Sequence, residues 1–344
     1  MTKRYLGNII TQNPTAPAGP FENDAAPGVW SLAEAFAYNK AGLWPTAGNA
    51  PPTAFFNTGA SDISLEKVLI GSLGNTTDFG DMSIKEGRSG IASSTRGIFT
   101  SGKDTNDAEP NDPSTLIEYF EVSTGGTLLD FGDLPLKTRL GFGLASATRG
   151  ISGGGNSVNA GTGQQYSINN INYLTIASTG NALDFGDISV ARIPSGGGSS
   201  PTRGIFMGGD VTGGTNSNVI EYITIASTGN GTDFGDMLAA TKMGAGASNS
   251  TRAITAGTDN NVIQYVTIAT TGNATDFGDL LANNEGQGGC ASSTRMLMAG
   301  GQSNNTRIEY IEINTTGNSA DFGDLITGTN GGIGALSNAH GGLA

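Results

Sequence analysis

The chain of 344 residues is poor in cysteine, histidine and positive charge. Cys290 is the only cysteine, so an internal disulfide is excluded and stability must come from packing or assembly. With 17 basic against 30 acidic residues, the net charge is −13, and no cluster of basic residues offsets this overall negative charge. Such a chain repels phosphate backbones, which excludes nucleic acid as an expected partner.

Long apolar runs are missing as well. No stretch is long enough to span a membrane, so we expect no membrane insertion. Lys3 and Arg4 are followed by an apolar run too short for a secretory signal. The sequence therefore predicts a protein that is synthesised in a cytoplasm.

Residues that carry catalytic or zinc-binding chemistry are scarce. The only histidine is His340, and neither a zinc-type His/Cys spacing nor a nucleophile elbow is present. Cys290 stands where other repeats have Ala or Gly, and His340 where they have arginine, so we interpret both as structural. We expect no enzyme activity, no cofactor and no bound metal.

What the chain does have is a repeat, the tetrapeptide Asp-Phe-Gly-Asp. Its six copies begin at Asp78, Asp130, Asp184, Asp233, Asp276 and Asp321. Their spacing matches the length of one four-stranded propeller blade, about 40–50 residues. Random low-complexity disorder is the alternative for so glycine-rich a chain, but the regularly spaced Ile, Tyr and Phe argue against it.

One unit shows how the repeat is built. Thr202-Arg203-Gly204 leads into an apolar strand over residues 205–207, and residues 219–225 form a strand rich in β-branched and aromatic side chains. A Gly-Asn turn follows, and weaker strands flank these two segments, which gives about four strands per unit. Apolar residues lie on both alternating faces, which is typical of strands buried between two neighbouring sheets.

The repeat array begins and ends in the middle of a unit. Residues 53–56 resemble the strand after Thr-Arg, and residues 338–341 form a degenerate end of the array. In a closed ring, strands from the two ends would complete one blade. The sequence therefore predicts an all-β fold, a propeller over residues 51–344 with six four-stranded blades; five or seven blades remain alternatives.

The Asp-Phe-Gly-Asp motif permits two interpretations. Paired carboxylates at turns are hard oxygen ligands that suit calcium, although two aspartates are fewer than a calcium loop supplies. In the structural interpretation the phenylalanine packs in the core and the glycine permits a bend. The aspartates then cap turns or pair with the arginine that also occurs once per unit.

Residues 1–50 differ in composition and hold both tryptophans. Ser31 and Glu34 form a capping box, which predicts a short helix that Pro45 ends. We expect Trp30, Phe36 and Trp44 to be assembly contacts of an N-terminal attachment segment. The alternative is a helix that plugs one end of the propeller.

The loops that follow the second strand vary most between units and are polar. Variable loops on a rigid scaffold are where recognition is commonly found, and Asn, Asp and Ser suit polysaccharide as well as solvated turns. The candidate ligand-facing residues are Asp104, Asn106, Asn156, Asn159, Asp210 and Asn216.

Two resemblances follow from these motifs. The strand ending in Gly208-Gly209, its loop and the tyrosine-bearing strand resemble kelch repeats, although no unit carries the tryptophan usual there. Residues 222–236 closely resemble glycine-rich repeats of tail-fibre and related virion proteins of marine phages, including cyanophages, and residues 171–187 resemble them nearly as well. Residues 28–45 resemble short segments of the same proteins.

The second resemblance implies a virion protein, of the tail or its fibres, that attaches to host-surface polysaccharide. It would contact other virion proteins through its N-terminal segment and form a homo-oligomer. The alternatives are a capsid decoration or other structural virion protein without a ligand, and a kelch-type carbohydrate-active enzyme.

Overall fold

The computed structural model describes residues 31, 33, 34, 36, 37, 50–58, 63–83, 87–104, 112–126, 128–159, 161–257 and 260–343. The chain divides into two units, Met1–Pro51 and Pro52–Ala344. All of the described strands lie in the second unit.

The second unit is built from short antiparallel strands, as expected for segments of β-branched and aromatic residues separated by glycine-rich turns. In chain order the strands are β1 (Thr53–Asn57), β2 (Ser64–Leu69), β3 (Thr77–Asp81), β4 (Ser89–Ala92), β5 (Arg96–Thr100), β6 (Lys103–Asp104), β7 (Asp112–Glu121), β8 (Leu129–Thr138), β9 (Phe142–Ala145), β10 (Arg149–Gly153), β11 (Asn156–Val158), β12 (Gln165–Ser167), β13 (Asn170–Thr175), β14 (Leu183–Asp187), β15 (Gly196–Ser199), β16 (Arg203–Val211), β17 (Thr215–Thr224), β18 (Thr232–Asp236), β19 (Ala245–Ser248), β20 (Arg252–Ala256), β21 (Val262–Thr267), β22 (Thr275–Asp279), β23 (Gly288–Ala291), β24 (Arg295–Ala299), β25 (Asn305–Glu312), β26 (Ala320–Thr329) and β27 (Gly334–Ser337). A 3-10 turn follows at Gly341–Leu343.

These strands form six four-stranded blades of a β-propeller, so the predicted fold class and blade number are confirmed. From the axis outward, blades 1 to 6 are β27-β1-β2-β3, β4-β5-β7-β8, β9-β10-β13-β14, β15-β16-β17-β18, β19-β20-β21-β22 and β23-β24-β25-β26. The short strand β6 pairs with β7, and β11 and β12 form a separate hairpin. The innermost strand of each blade contacts the innermost strands of both neighbours, which closes the ring.

The ring is closed by strands from both ends of the repeat array, as predicted. Strand β27 pairs with β1, and the Asn338 side-chain oxygen accepts a hydrogen bond from the Thr53 N–H at 2.8 Å. Within blade 2 the same bond joins Ser93 Oγ to the N–H of Arg96 at 3.0 Å. In the other blades one continuous segment makes the turn between the first and second strands. In blade 1 the same hydrogen bond joins two segments that are distant along the chain.

The apolar core is divided among the junctions between blades. Six clusters of buried side chains each combine residues of two neighbouring blades. Each cluster contains the phenylalanine of one Asp-Phe-Gly-Asp copy, so the prediction that it packs in the core is confirmed. Every blade is buried on both faces, which explains why its strands are apolar on both sides.

Glycine backbones meet at the axis. A Cβ on Gly143 would lie 2.0 Å from the Gly90 carbonyl oxygen, and one on Gly90 would lie 2.0 Å from that of Ala335. Contacts of this kind are shorter than any side chain allows, so Gly90 and Gly143 cannot be replaced by a larger residue without a shift of the backbone. The second residues of the six innermost strands form this ring: Gly90, Gly143, Gly197, Gly246, Gly289 and Ala335.

The Asp-Phe-Gly-Asp motif joins each blade to the next through the backbone. In blade 4, the Phe234 carbonyl accepts a hydrogen bond from the Gly272 N–H of blade 5 at 2.8 Å. The Asn273 side-chain oxygen accepts the N–H of Asp236 at 3.0 Å. Gly235 has φ +148°, and a Cβ there would lie 2.5 Å from the Gly272 carbonyl oxygen. The same glycine-to-phenylalanine hydrogen bond joins all six junctions, with Gly74, Gly126, Gly180, Gly229, Gly272 and Gly317 as donors.

The expected pairing of the repeated arginine with the aspartates is wrong. The Arg203 guanidinium lies 4.3 Å from the centre of the Tyr222 ring, and that ring meets Phe234 edge-on at 6.1 Å. Arg203 Nη1 donates to the Ile268 carbonyl of blade 5 at 2.8 Å. Because the tyrosine lies under the guanidinium, the arginine stacks instead of reaching the motif, whose first aspartate is exposed in all six copies.

A buried acid or amide on the third strand makes another contact between blades. The Glu221 carboxylate accepts the N–H of Ser189 from blade 3 at 2.8 Å. Equivalent acceptors in other blades are Glu66, Glu118, Gln264 and Glu309. Blade 3 has Asn172 at this place, and the residue of blade 2 that is equivalent to Ser189 is Pro135, which has no N–H to donate.

We predict that Gly235→Ala lowers the free energy of unfolding by about 2 kcal/mol or more, because φ is positive and the added Cβ meets the next blade. Gly71→Ala is the matched control, since a Cβ at Gly71 has nothing within 4 Å and the substitution should be nearly neutral. Urea unfolding of both variants measures the difference. Equal stability of the two would contradict the backbone contact.

We also predict a favourable coupling between Pro135→Ala and Asn172→Glu. Asn172→Glu alone buries a carboxylate that faces no N–H, whereas Pro135→Ala restores the donor that the other junctions have. In a double-mutant cycle by urea unfolding, the coupling should be about 1 kcal/mol or more. Strict additivity of the two changes would show that Pro135 is not the reason why blade 3 has asparagine in place of the buried acid.

Candidate binding surface

Antiparallel strands divide the connections of the propeller between two faces. The connections from second to third strand and from one blade to the next lie on one face, which we call the loop face. The turns from first to second strand and from third to fourth strand lie on the opposite face, which we call the turn face. The candidate ligand-facing residues that the structure describes belong to connections of the loop face or to the strand ends beside them.

The structure brings two of these candidates together. Asp210 and Asn216 are partners across the hairpin of β16 and β17, and both are half-buried. Asp210 also forms a β-bridge with Ile193, which precedes the inner strand β15 of blade 4. The hairpin is thereby held against the entrance to the axis.

The remaining loop candidates lie apart from that pair. Asn156 in β11 forms a β-bridge with Arg139, and Asn159 is exposed in a turn where its side-chain oxygen accepts the Gly161 N–H at 2.9 Å. Asp104 belongs to strand β6. Asn106 lies outside the described residues.

The capping box predicted at the N-terminal helix is present. The Ser31 N–H donates to Glu34 Oε2 at 2.9 Å, and the Glu34 N–H donates to Ser31 Oγ at 3.2 Å. The Ser31 hydroxyl also donates to Glu34 Oε2 at 2.6 Å. This bond, followed by the one from the Ser31 N–H, lowers the pKa of the Glu34 carboxyl because both stabilise its charged form.

The three predicted assembly contacts can be placed only in part. Phe36 is helical, and 68% of its surface is exposed. Trp30 and Trp44 lie outside the described residues. The attachment role of residues 1–50 stays a prediction.

A cavity of about 100 Å³ opens on the loop face around the axis. Leu140 and Met243 line it with left-handed backbones, φ 58° and 51°, a strained conformation for bulky side chains that is common at functional sites. A Cβ on Gly246 would lie 2.8 Å from Phe142 Cζ, and one on Gly197 would lie 3.2 Å from Phe142 Cε1, so the Phe142 ring lies against the glycines of the axis. The floor of the cavity is thus aromatic. Sequence reasoning missed it because its lining comes from separate blades.

Arg88 lies at the edge of this cavity and is fully buried. It forms an ion pair with Glu118 and donates to the Phe99 carbonyl at 3.0 Å. Burial lowers the pKa of the Arg88 guanidinium, and the Glu118 carboxylate opposes that effect. The pair orders the cavity wall and leaves it without a free cation at this point.

His340 closes the axis from the turn face. Its Nε2 donates to the Ala92 carbonyl at 2.8 Å, while Nδ1 accepts the Gly342 N–H at 3.1 Å, a pattern that fits the neutral ring. Burial lowers the pKa of His340. The expected equivalence of His340 to the repeated arginine is wrong: Asn338 matches Ser93, so His340 matches Thr95 and Thr53 takes the place of Arg96.

Cys290 is buried in the core between blades 6 and 1. Burial raises the pKa of its thiol, which therefore stays protonated. Its equivalents include Gly198 and Ala247, as expected from the sequence, but also the larger Ile91, Leu144 and Leu336.

Within the described ranges, no group of three or more His, Cys, Asp or Glu residues is arranged to hold a metal ion. No described helix is long and apolar enough to cross a membrane. Comparison of the chain with models of known protein families and with curated protein sequences found no match.

We predict that the protein loses stability as the pH falls below about 6.5, the ordinary pKa of histidine. The folded pKa of His340 is lowered, so below pH 6.5 the unfolded chain binds a proton that the folded ring does not, and unfolding becomes easier. The slope contributed is at most about 1.4 kcal/mol per pH unit. Urea unfolding between pH 5.5 and 7.5 measures it.

His340→Gln is the control, because glutamine does not titrate and the chain has no other histidine. The variant should show a flatter dependence of stability on pH in this range. An unchanged slope would mean that His340 does not cause it.

Proposed function

We propose that this protein is a bacteriophage virion component, of the tail or its fibres, that presents its propeller to host-surface glycans. The observation that carries the proposal is the separation of constant and variable parts. The segments that repeat build the junctions and the axis, whereas the segments that differ between units are connections of the loop face.

The size of the loop-face connections supports recognition on this face. Blades 2, 3 and 4 carry additional structure there: strand β6, the hairpin β11-β12 and the extended hairpin of β16 and β17. Blades 5 and 6 join their second and third strands by short turns. A rigid ring with elaborated loops on one side is a common arrangement of recognition proteins.

The phage assignment is supported by the resemblance of residues 171–187, 222–236 and 28–45 to virion proteins. In this proposal the segment of residues 1–50 docks on other virion proteins and the chain forms a homo-oligomer located on the particle. We assign it no catalytic activity. The alternative is a capsid decoration protein without a ligand, and the next experiment distinguishes it from an adhesive protein.

We predict that the purified full-length protein binds intact host cells and a subset of neutral or acidic glycans on an array. Asp210→Ala combined with Asn216→Ala should weaken that binding at least tenfold, because it removes the polar groups of the loop-face hairpin. Asp130→Ala is the matched control, since Asp130 is exposed on an outermost strand and should leave binding unchanged.

Absence of binding to every glycan and to host cells would overturn the adhesive role and favour decoration. Imaging of particles with an antibody to this chain tests the location separately. Labelling of the capsid instead of the tail would overturn the tail assignment.

A further inference from the structure

On the turn face, blades 2 and 6 each contain an arginine that binds a carboxylate. Arg96 donates from Nε and Nη2 to Glu121 Oε1 at 2.9 and 2.7 Å. Arg295 donates from the same two nitrogens to Glu312 Oε1 at 3.0 and 2.7 Å. In both blades the two residues are register partners across the second and third strands.

Blades 3, 4 and 5 keep the arginine but have threonine at the register position of the glutamate. The pairs are Arg149 with Thr175, Arg203 with Thr224, and Arg252 with Thr267. We call Arg149, Arg203 and Arg252 the open arginines.

Each open arginine keeps the geometry of its paired equivalents. Each stacks on a tyrosine, with 4.3 to 4.6 Å between the guanidinium and the ring centre. Each donates from Nη1 to a carbonyl of the next blade at 2.8 or 2.9 Å. Among the described residues, Nε and Nη2 of these arginines have no hydrogen-bond partner. In blades 2 and 6 the same two nitrogens bind a carboxylate.

From this comparison within one molecule we propose that the open arginines form a binding site for an acidic polysaccharide, whose carboxylates take the place that Glu121 and Glu312 occupy. Guanidinium groups bind carboxylates through two N–H donors, and stacking on tyrosine fixes the orientation of the donors before a ligand arrives.

The surroundings suit a carboxylated sugar chain. Arg149 lines a cleft of about 400 Å³ together with Ser146, Thr148, Ile225 and Leu343. The turns of blades 3, 4 and 5 on this face contain Ser, Thr, Asn, Gly, Ala and Pro but no acidic residue: residues 146–148, 200–202, 249–251, 177–181, 226–230 and 269–273. Hydroxyl and amide groups of these turns can bind sugar hydroxyls, which a simple anion lacks.

The number of sites favours a polymer over a single anion. One exposed ion pair contributes little, on the order of 1 kcal/mol or less. Three sites on consecutive blades act together when one chain carries repeated carboxylates, because each further contact is intramolecular. A polyuronate has that repeated charge. This site lies opposite the loop face, so it goes beyond the function proposed above and does not depend on it.

The test occupies the site with carboxylates that belong to the protein itself. Thr175→Glu, Thr224→Glu and Thr267→Glu together install in blades 3 to 5 the carboxylates that blades 2 and 6 already have. All three threonines are exposed, so folding should persist, with an unchanged or higher melting temperature. Binding of the full-length protein to alginate, a polyuronate, should fall at least tenfold.

Two controls sharpen the result. The triple Thr→Gln variant at the same positions matches the size without the charge and should keep alginate binding within about twofold of the unsubstituted protein. Glu121→Thr with Glu312→Thr frees two more arginines and should strengthen alginate binding. Neutral dextran should bind none of these proteins through this site.

The proposal is overturned if the unsubstituted protein does not bind alginate, or if the Glu and Gln triple variants bind it equally. Equal affinity for poly-glutamate and alginate would overturn the polysaccharide assignment, because an acidic peptide would then suffice. The Asp210 and Asn216 variants change only the loop face, so failure here and failure of the proposed function are distinguishable.

Discussion

The structure depends on direct contact between the backbones of neighbouring blades. At the outer junction, the turn glycine of one blade donates to the phenylalanine carbonyl of the preceding blade, as Gly272 does to Phe234. At the axis, Gly143 approaches the carbonyl of Gly90 too closely for any side chain. Both contacts exclude a Cβ, so glycine is required at the outer junctions and beside the axis. The high glycine content therefore follows from packing rather than from flexibility.

Backbone contacts of this kind leave little freedom in how two blades meet, and the side-chain contacts therefore repeat as well. The stack of arginine, tyrosine and phenylalanine recurs in five blades, with Arg203, Tyr222 and Phe234 as one example. Where one partner changes, the other changes too: Pro135 offers no N–H, and Asn172 replaces the buried acid that would accept it. The scaffold is thus specified at every junction, which leaves the connections free to vary.

The two faces consequently have different chemistry. The loop face carries the elaborated connections and an axial cavity with Phe142 at its floor. The turn face carries the repeated arginines, of which those in blades 2 and 6 are neutralised by Glu121 and Glu312. The overall charge of −13 hides this distribution, because many of the carboxylates lie on the outermost strands. The overall charge therefore does not exclude the proposed polyanion site on the turn face.

The sequence by itself determined the local strands, the six units, closure of the ring in the middle of a unit and the capping box at Ser31. Each of these follows from a pattern within one repeat or from the count of repeats. Only the tertiary structure decided that the repeated arginine stacks on tyrosine, that His340 seals the axis, and which arginines lack a carboxylate. These outcomes depend on which residues become register partners across strands and blades, and such partners are separated along the chain. A repeat shows that a contact recurs, but the fold decides which atoms make it.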